Sequence, residues 1–127
     1  MEIPFLSLDK ILLIHRRSLE EHGGMDGLRN PGGFEAAAMQ PMNDFYYAQA
    51  DIYGIAAAYA YHLAESQAFL DGNKRTALGS ALIFLEQFGI DTSADPEILH
   101  KAMIDIANHQ LDKAGLASLF RRLFSRP

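Results

Sequence analysis

Residues 51 to 66 leave this chain few folds to choose from. Alanine stands at positions 56, 57, 58, 60 and 64, with Ile52, Ile55, Tyr59 and Leu63 between them. Alanine is the strongest intrinsic helix former, so the segment is expected to be helical. A helix that is apolar around most of its circumference has no face to offer to water and must lie at the centre of a bundle.

The flanking segments look like its coat. Leu8, Ile11, Leu12, His15 and Leu19 fall on one helical face, with Ser7 as N-cap, and Gly23-Gly24 ends that helix. A loop rich in Gly, Asn and Pro follows, then a short helix over residues 34 to 39. Residues 40 to 47 contain Pro41 and several aromatics, and they read as irregular, the one place where an extended piece is expected. Asp71-Gly72-Asn73 breaks the central helix and opens a fourth, with Leu78, Ala81, Leu82, Leu85 and Phe88 inward and Gly89 past its end. Asp95-Pro96-Glu97 opens a fifth with the stripe Leu99, Ala102, Met103 and Ile106. Leu116, Leu119, Phe120, Leu123 and Phe124 mark the last. The expected architecture is all-α, about six helices in one domain over residues 1 to 127.

Composition excludes several function classes. Eleven Lys and Arg against 16 Asp and Glu give a net charge of −5, which disfavours binding that depends on neutralising many nucleic-acid phosphates. Arg121, Arg122 and Arg126 decorate the last helix, but packing its apolar stripe on the core explains that helix more economically than a membrane or a nucleic acid does. There is no cysteine, hence no thiolate nucleophile or thiolate metal site. No apolar run approaches the ~20 residues that span a bilayer, and Met1-Glu2-Ile3-Pro4 lacks the basic start of a signal peptide. A cytosolic protein is expected.

The chemistry concentrates in Gln67-Ala68-Phe69-Leu70-Asp71-Gly72-Asn73-Lys74-Arg75-Thr76-Ala77. Gly72 permits positive φ and close approach of a ligand to the backbone. The amides of Asn73, Lys74 and Arg75 begin a helix, so their unpaired N–H groups and the positive dipole end form an anion site. Lys74 and Arg75 add full charges, and Arg can grip phosphate bidentately. Asp71 is a hard oxygen ligand suited to Mg²⁺ bridging such phosphates. The same residues also suit an ordinary helix–helix turn with a solvated first turn. The spacing is not that of a Walker A loop, and no strand precedes it.

Phe69-x-Asp71-Gly72-Asn73-Lys74-Arg75 resembles most of the Fic/Doc motif, His-x-Phe-x-(Asp/Glu)-(Gly/Ala)-Asn-(Lys/Gly)-Arg. The Lys, the Thr-Ala that follows and the short chain are similar to the Doc (death-on-curing) branch. So are Phe5-Leu6-Ser7-Leu8-Asp9 with Ile14-His15, the loop Gly27-Leu28-Arg29, and Ala81-Leu82-Ile83-Phe84-Leu85. The likeness extends over nearly the whole chain.

This resemblance implies a small helical bundle whose motif loop joins two central helices. It implies ATP as co-substrate and Mg²⁺ held by Asp71. Gly72, Asn73, Lys74 and Arg75 would cradle phosphates, and Phe69 would anchor the loop. It implies transfer of a phosphoryl group, or less readily of AMP, to a protein hydroxyl, with elongation factor Tu as the target of Doc toxins. It further implies an antitoxin partner whose disordered C-terminal segment folds into a helix on the toxin, for which the apolar surface near the first and last helices is a candidate. In Fic-like proteins a flap aligns the target by strand-like pairing, and residues 40 to 47 are expected to fill that role.

One position departs from the motif. Its first residue is a histidine, the general base, and here Gln67 stands there. An amide side chain has no titratable group near neutrality, and losing a general base typically costs about 10²- to 10⁴-fold in rate. Gln67 could still orient a hydroxyl. The residues leave open a working variant, a natural silenced copy and a change made to render a toxin harmless, so a catalytically silent Fic-fold binding module is the competing expectation. His62 lies about 140° around the helix and about 7.5 Å along it from Gln67 and should face elsewhere. His15 reads as a hydrogen-bonded core histidine. His22, His100 and His109 have no partners at metal-ligand spacing.

Overall fold

The computed structural model describes residues 2–125. They form six helices: α1 (Leu8–His22), α2 (Pro31–Ala48), α3 (Ile52–Ser66), α4 (Asn73–Glu86), α5 (Pro96–Ala107) and α6 (Lys113–Phe124). The fold is all-α, and the strand-like pairing among the described residues is a single bridge between Leu28 and Phe69.

The alanine-rich α3 is the axis. Six successive residues, Ile55 to Ala60, are buried, and α4, α2 and α6 pack most extensively against it. Small side chains let these neighbours approach closely, while Tyr59, Phe84 and Phe120 fill the larger spaces between them. Tyr59 is buried, and its hydroxyl accepts the Leu6 N–H at 2.8 Å, fixing the segment that leads into α1. Burial raises its pKa to about 12, against the weaker opposing effect of that hydrogen bond.

Helix starts follow local chemistry. Ser7, Asn30, Asp51, Asp95 and Asp112 each cap a helix by accepting a backbone N–H within its first turn. Asp51 has a second role: both its carboxylate oxygens accept from Arg121 at 3.0–3.1 Å, clasping α6 to the start of α3. Arg126, expected on the last helix, lies outside the described residues. Gly72 alone opens its helix, α4, with no side-chain cap.

The expected break at residues 40 to 47 does not occur. In place of a short helix and an irregular flap, α2 continues through Pro41 to Ala48 and ends on left-handed Gln49. An internal proline removes one amide donor and crowds the carbonyl four residues back, at about 3 kcal/mol. Here Pro41 is fully buried on the same face as Phe34, Ala37 and Ala38, packed towards α3. Phe45 meets Phe5 edge-on with centroids 5.9 Å apart. Tertiary burial outweighs the local preference. The extended backbone sits instead in the loop between α1 and α2.

Candidate active site

The loop between α3 and α4 is built by contacts that its own sequence only partly announces. Gln67 caps α3 in a left-handed conformation, φ 44°, with its N–H bonded to the Ala64 carbonyl. The Gln67 carbonyl accepts from Arg29 Nη2 at 2.7 Å. The Ala68 carbonyl accepts the N–H groups of Arg29 and Asn30, and Leu70 N–H donates to the Gly27 carbonyl at 3.0 Å. The α1–α2 loop is therefore stitched along the motif loop, and Phe69 enters the core between His15 and Phe34.

Asn73 closes the loop from the other end. Its Oδ1 accepts the Phe69 N–H at 3.0 Å, and its Nδ2 donates to the Phe69 carbonyl at 2.9 Å. The side chain of Asn73 is thus engaged in holding the loop, which leaves its backbone N–H, the group expected in the phosphate cradle, to face a ligand. His15 is buried, 3% exposed, and stacks on Phe69 with centroids 3.8 Å apart. Its Nε2 lies 2.8 Å from the Asp71 carbonyl oxygen. A carbonyl can only accept, so the proton of the neutral ring is on Nε2.

Asp71 is clamped twice, through its carbonyl by His15 and through Oδ2, which accepts the Met25 N–H at 2.6 Å. One carboxylate oxygen is thereby fixed and the other is left for a cation. Among the described residues no cluster of three or more His, Asp or Glu could hold a metal on its own. A single carboxylate completed by phosphate oxygens and water is the usual pattern for Mg²⁺ with a nucleotide, and Asp71 fits it.

Gly72 follows with φ 81°. That left-handed turn aims the chain into α4 and leaves the N–H groups of its first turn without a side-chain acceptor, at the positive end of the helix dipole. Lys74 and Arg75 are exposed beside them. Arg75 reaches Ser18 on α1 at 3.3 Å, and among the described residues neither cation has a carboxylate partner.

A cleft of about 550 Å³ brings Gln67, Asp71, Gly72, Asn73, Lys74 and Arg75 together. Its remaining walls include Glu65 and three histidines, His22, His100 and His109, which sequence reading gave no role. Nothing in their spacing signals this, because the turn of α5 towards the motif is set by tertiary packing. His62 is elsewhere: its Nε2 lies 3.1 Å from Lys113 Nζ, and Lys113 pairs with Asp44 at 2.7 Å. Burial and the Lys113 charge hold the His62 pKa below the usual imidazole value, against a smaller opposing pull from Asp44.

A helical bundle with this loop between its central helices defines a class, and the chain belongs to the Fic/DOC family, whose model matches residues 5–85. The chain is similar to "Protein kinase doc" of Escherichia phage P1, 30% identical over 120 residues that cover 94% of each chain. It is also similar to "Toxin Doc" of Mycolicibacterium smegmatis, 32% identical over 107 residues, 76% of this chain and 77% of that relative.

Proposed function

We propose that this chain is a Doc-type toxin of a toxin–antitoxin module. It transfers the γ-phosphoryl group of ATP to a hydroxyl of a translation protein, with elongation factor Tu the leading candidate. The name of one relative, a protein kinase, supports phosphoryl transfer over AMP transfer, and the name of the other supports a toxin. The observation that carries the reading is the uncapped start of α4, with Asp71, Lys74 and Arg75 around it on one cleft.

The geometry supports the following roles. Backbone N–H groups of the first turn of α4, opened by Gly72, hold phosphate oxygens, and Lys74 and Arg75 neutralise the charge that spreads over them during transfer. Asp71 would hold Mg²⁺, which would supply positive charge beside the phosphates. His15, Met25 and Asn73 keep the loop in that shape before the nucleotide arrives, so little ordering remains to oppose binding. Target recognition would use the outer edge of the extended segment at Leu28, because the Gly27 carbonyl and the Arg29 and Asn30 N–H groups are bonded to the motif loop and residues 40 to 47 are helical.

The antitoxin's helical segment would find an apolar groove of about 370 Å³ between α1 and α4, with Leu13, Ile14, Leu78, Leu82 and Ile83 in its walls and Arg75 at its edge. Occupation there would engage a phosphate-binding cation and silence the site. The protein acts in the cytosol in this reading, and no helix among the described residues is long and apolar enough to cross a membrane.

Gln67 favours a second reading, a binding module without transferase activity, because its amide takes no proton from a hydroxyl. Incubation with γ-labelled and with α-labelled ATP, Mg²⁺, purified elongation factor Tu and a bacterial extract separates the two. Label from the γ position alone supports the kinase. Label from the α position means AMP transfer. No label with the protein as it stands, but label with Gln67→His, supports the silent module.

A further inference from the structure

Gln67 removes the expected base, yet the cleft is not without imidazole. We infer that His109, which follows α5, is the general base of this site. The inference rests on the transferase reading above and supplies the proton acceptor that reading lacks.

Two shared surfaces show where the histidines sit along α5. His100 borders a smaller apolar groove together with Lys74, Arg75 and Leu78, which places it at the phosphate end of the cleft. His109 borders a different groove together with Tyr61 of α3 and Asp112, which places it at the α3 end. Gln67 caps α3 six residues beyond Tyr61, and His109 and Gln67 both form walls of the main cleft. Helix α5 thus runs along the cleft, with His100 on its phosphate side and His109, just past its end, on its α3 side.

The backbone at His109 is specific. Its φ is 58°, left-handed, because it is the residue just past the C-cap Asn108 at the end of α5. Its N–H donates to the Ile106 carbonyl at 3.1 Å, and Gln110 N–H donates to the Asp105 carbonyl at 2.7 Å, so the turn is held from both sides. Its imidazole has no hydrogen-bond or ion partner among the described residues and is free to meet a substrate hydroxyl.

The other groups facing the cleft serve less well. Asp71 is fixed by Met25 and is the carboxylate assigned to Mg²⁺ in that reading. Lys74 and Arg75 are cations, and His100 beside them is placed to touch phosphate. His22 lies 3.8 Å from Glu21 at the far end of α1. Glu65 is exposed, and a carboxylate in water is a weaker base than imidazole near neutrality. Glu65 on α3 and Asp112 in the turn ahead of α6 are the anionic groups on the His109 side.

The step balances without a further reactant. The acceptor hydroxyl gives its proton to His109 as its oxygen bonds to the γ-phosphorus. The bond from that phosphorus to the β–γ bridging oxygen breaks, ADP leaves with the electron pair, and the imidazolium returns its proton to water.

The test uses His109→Gly, which suits the left-handed backbone, and His109→Asn, which tolerates it, in the labelled-ATP assay with bacterial extract. Both variants should lose about 10²- to 10⁴-fold in the rate of transfer while calorimetric affinity for the nucleotide with Mg²⁺ stays within twofold. Free imidazole should raise the rate of His109→Gly and leave the unsubstituted protein unchanged. Loss below tenfold, loss that imidazole does not lift, or an equal loss in Glu65→Gln with His109→Gly still active would overturn the assignment. So would a protein that binds nucleotide and transfers nothing. Failure to bind nucleotide at all would instead remove the transferase reading beneath it.

Discussion

Asn73 separates two accounts of the motif most sharply. If its amide contacts phosphate, removing it should weaken nucleotide binding and leave the free protein as stable as before. The structure assigns that amide to Phe69, with bonds of 3.0 and 2.9 Å to the N–H and carbonyl of one partly buried residue. A net hydrogen bond is worth about 1 kcal/mol, and leaving backbone partners unsatisfied adds to the loss. Asn73→Ala should therefore lower the unfolding free energy by about 2–3 kcal/mol with no nucleotide present. For a chain of this size that corresponds to a fall in Tm of about 8 to 12 °C. Urea denaturation, with the slope m compared to show that the unfolded state is unchanged, measures it directly. Asn73→Asp keeps one acceptor for the Phe69 N–H but sets a second oxygen against the Phe69 carbonyl, and it places negative charge inside the anion site. It should lose nucleotide affinity out of proportion to stability. An Asn73→Ala protein within about 0.5 kcal/mol of the original would refute the loop-closing role.

Other consequences can be checked on the same material. Gly72→Ala should cost about 1 kcal/mol in urea unfolding, because φ is 81° while the added Cβ would meet its nearest neighbours, the His15 ring and Leu19 Cδ2, only at 3.5 Å; an unchanged midpoint would contradict that backbone geometry. The lowered His62 pKa makes the folded state the poorer proton binder, so stability should fall as pH drops from about 6.5 towards the depressed folded value and then level off. His62→Gln should remove that part of the slope, and an unaltered pH profile would refute it. Thr76 Oγ1 is buried without a partner among the described residues, so Thr76→Val should be neutral or stabilising by up to about 1 kcal/mol. A clear destabilisation would show that the hydroxyl is in use.

Which parts of this were readable from residue order depends on how local their causes are. The central place of α3 was legible because alanine propensity and an apolar circumference both point to burial, and Ile55 to Ala60 are buried as that predicts. The caps at Ser7 and Asp95 were legible because a cap acts within one turn. The course of α2 was not. Pro41 and its aromatic neighbours carry a strong local signal for a break, and only packing against α3 and Phe5 overrides it.

At the site, Gly72 and the amides after it could be read locally, whereas the clamp on Asp71 comes from His15 and Met25, 56 and 46 positions away. His15 was recognisable as a bonded core histidine, but its partner was not. The bond from Asn73 to Phe69 spans four residues and had a signal, since Asn at a helix start favours bonds to nearby backbone. That His100 and His109 line the cleft depends on how α5 packs, which nothing within α5 determines.

The central claim is that the start of α4 receives the phosphates of a nucleotide. Isothermal titration of the protein with ATP, with and without Mg²⁺, tests it most directly. The account predicts one site that needs Mg²⁺ for full affinity and that weakens about 10- to 100-fold in Arg75→Ala, the loss of one charge-assisted contact. No heat of binding with Mg²⁺ present, or binding that Arg75→Ala leaves untouched, would contradict it.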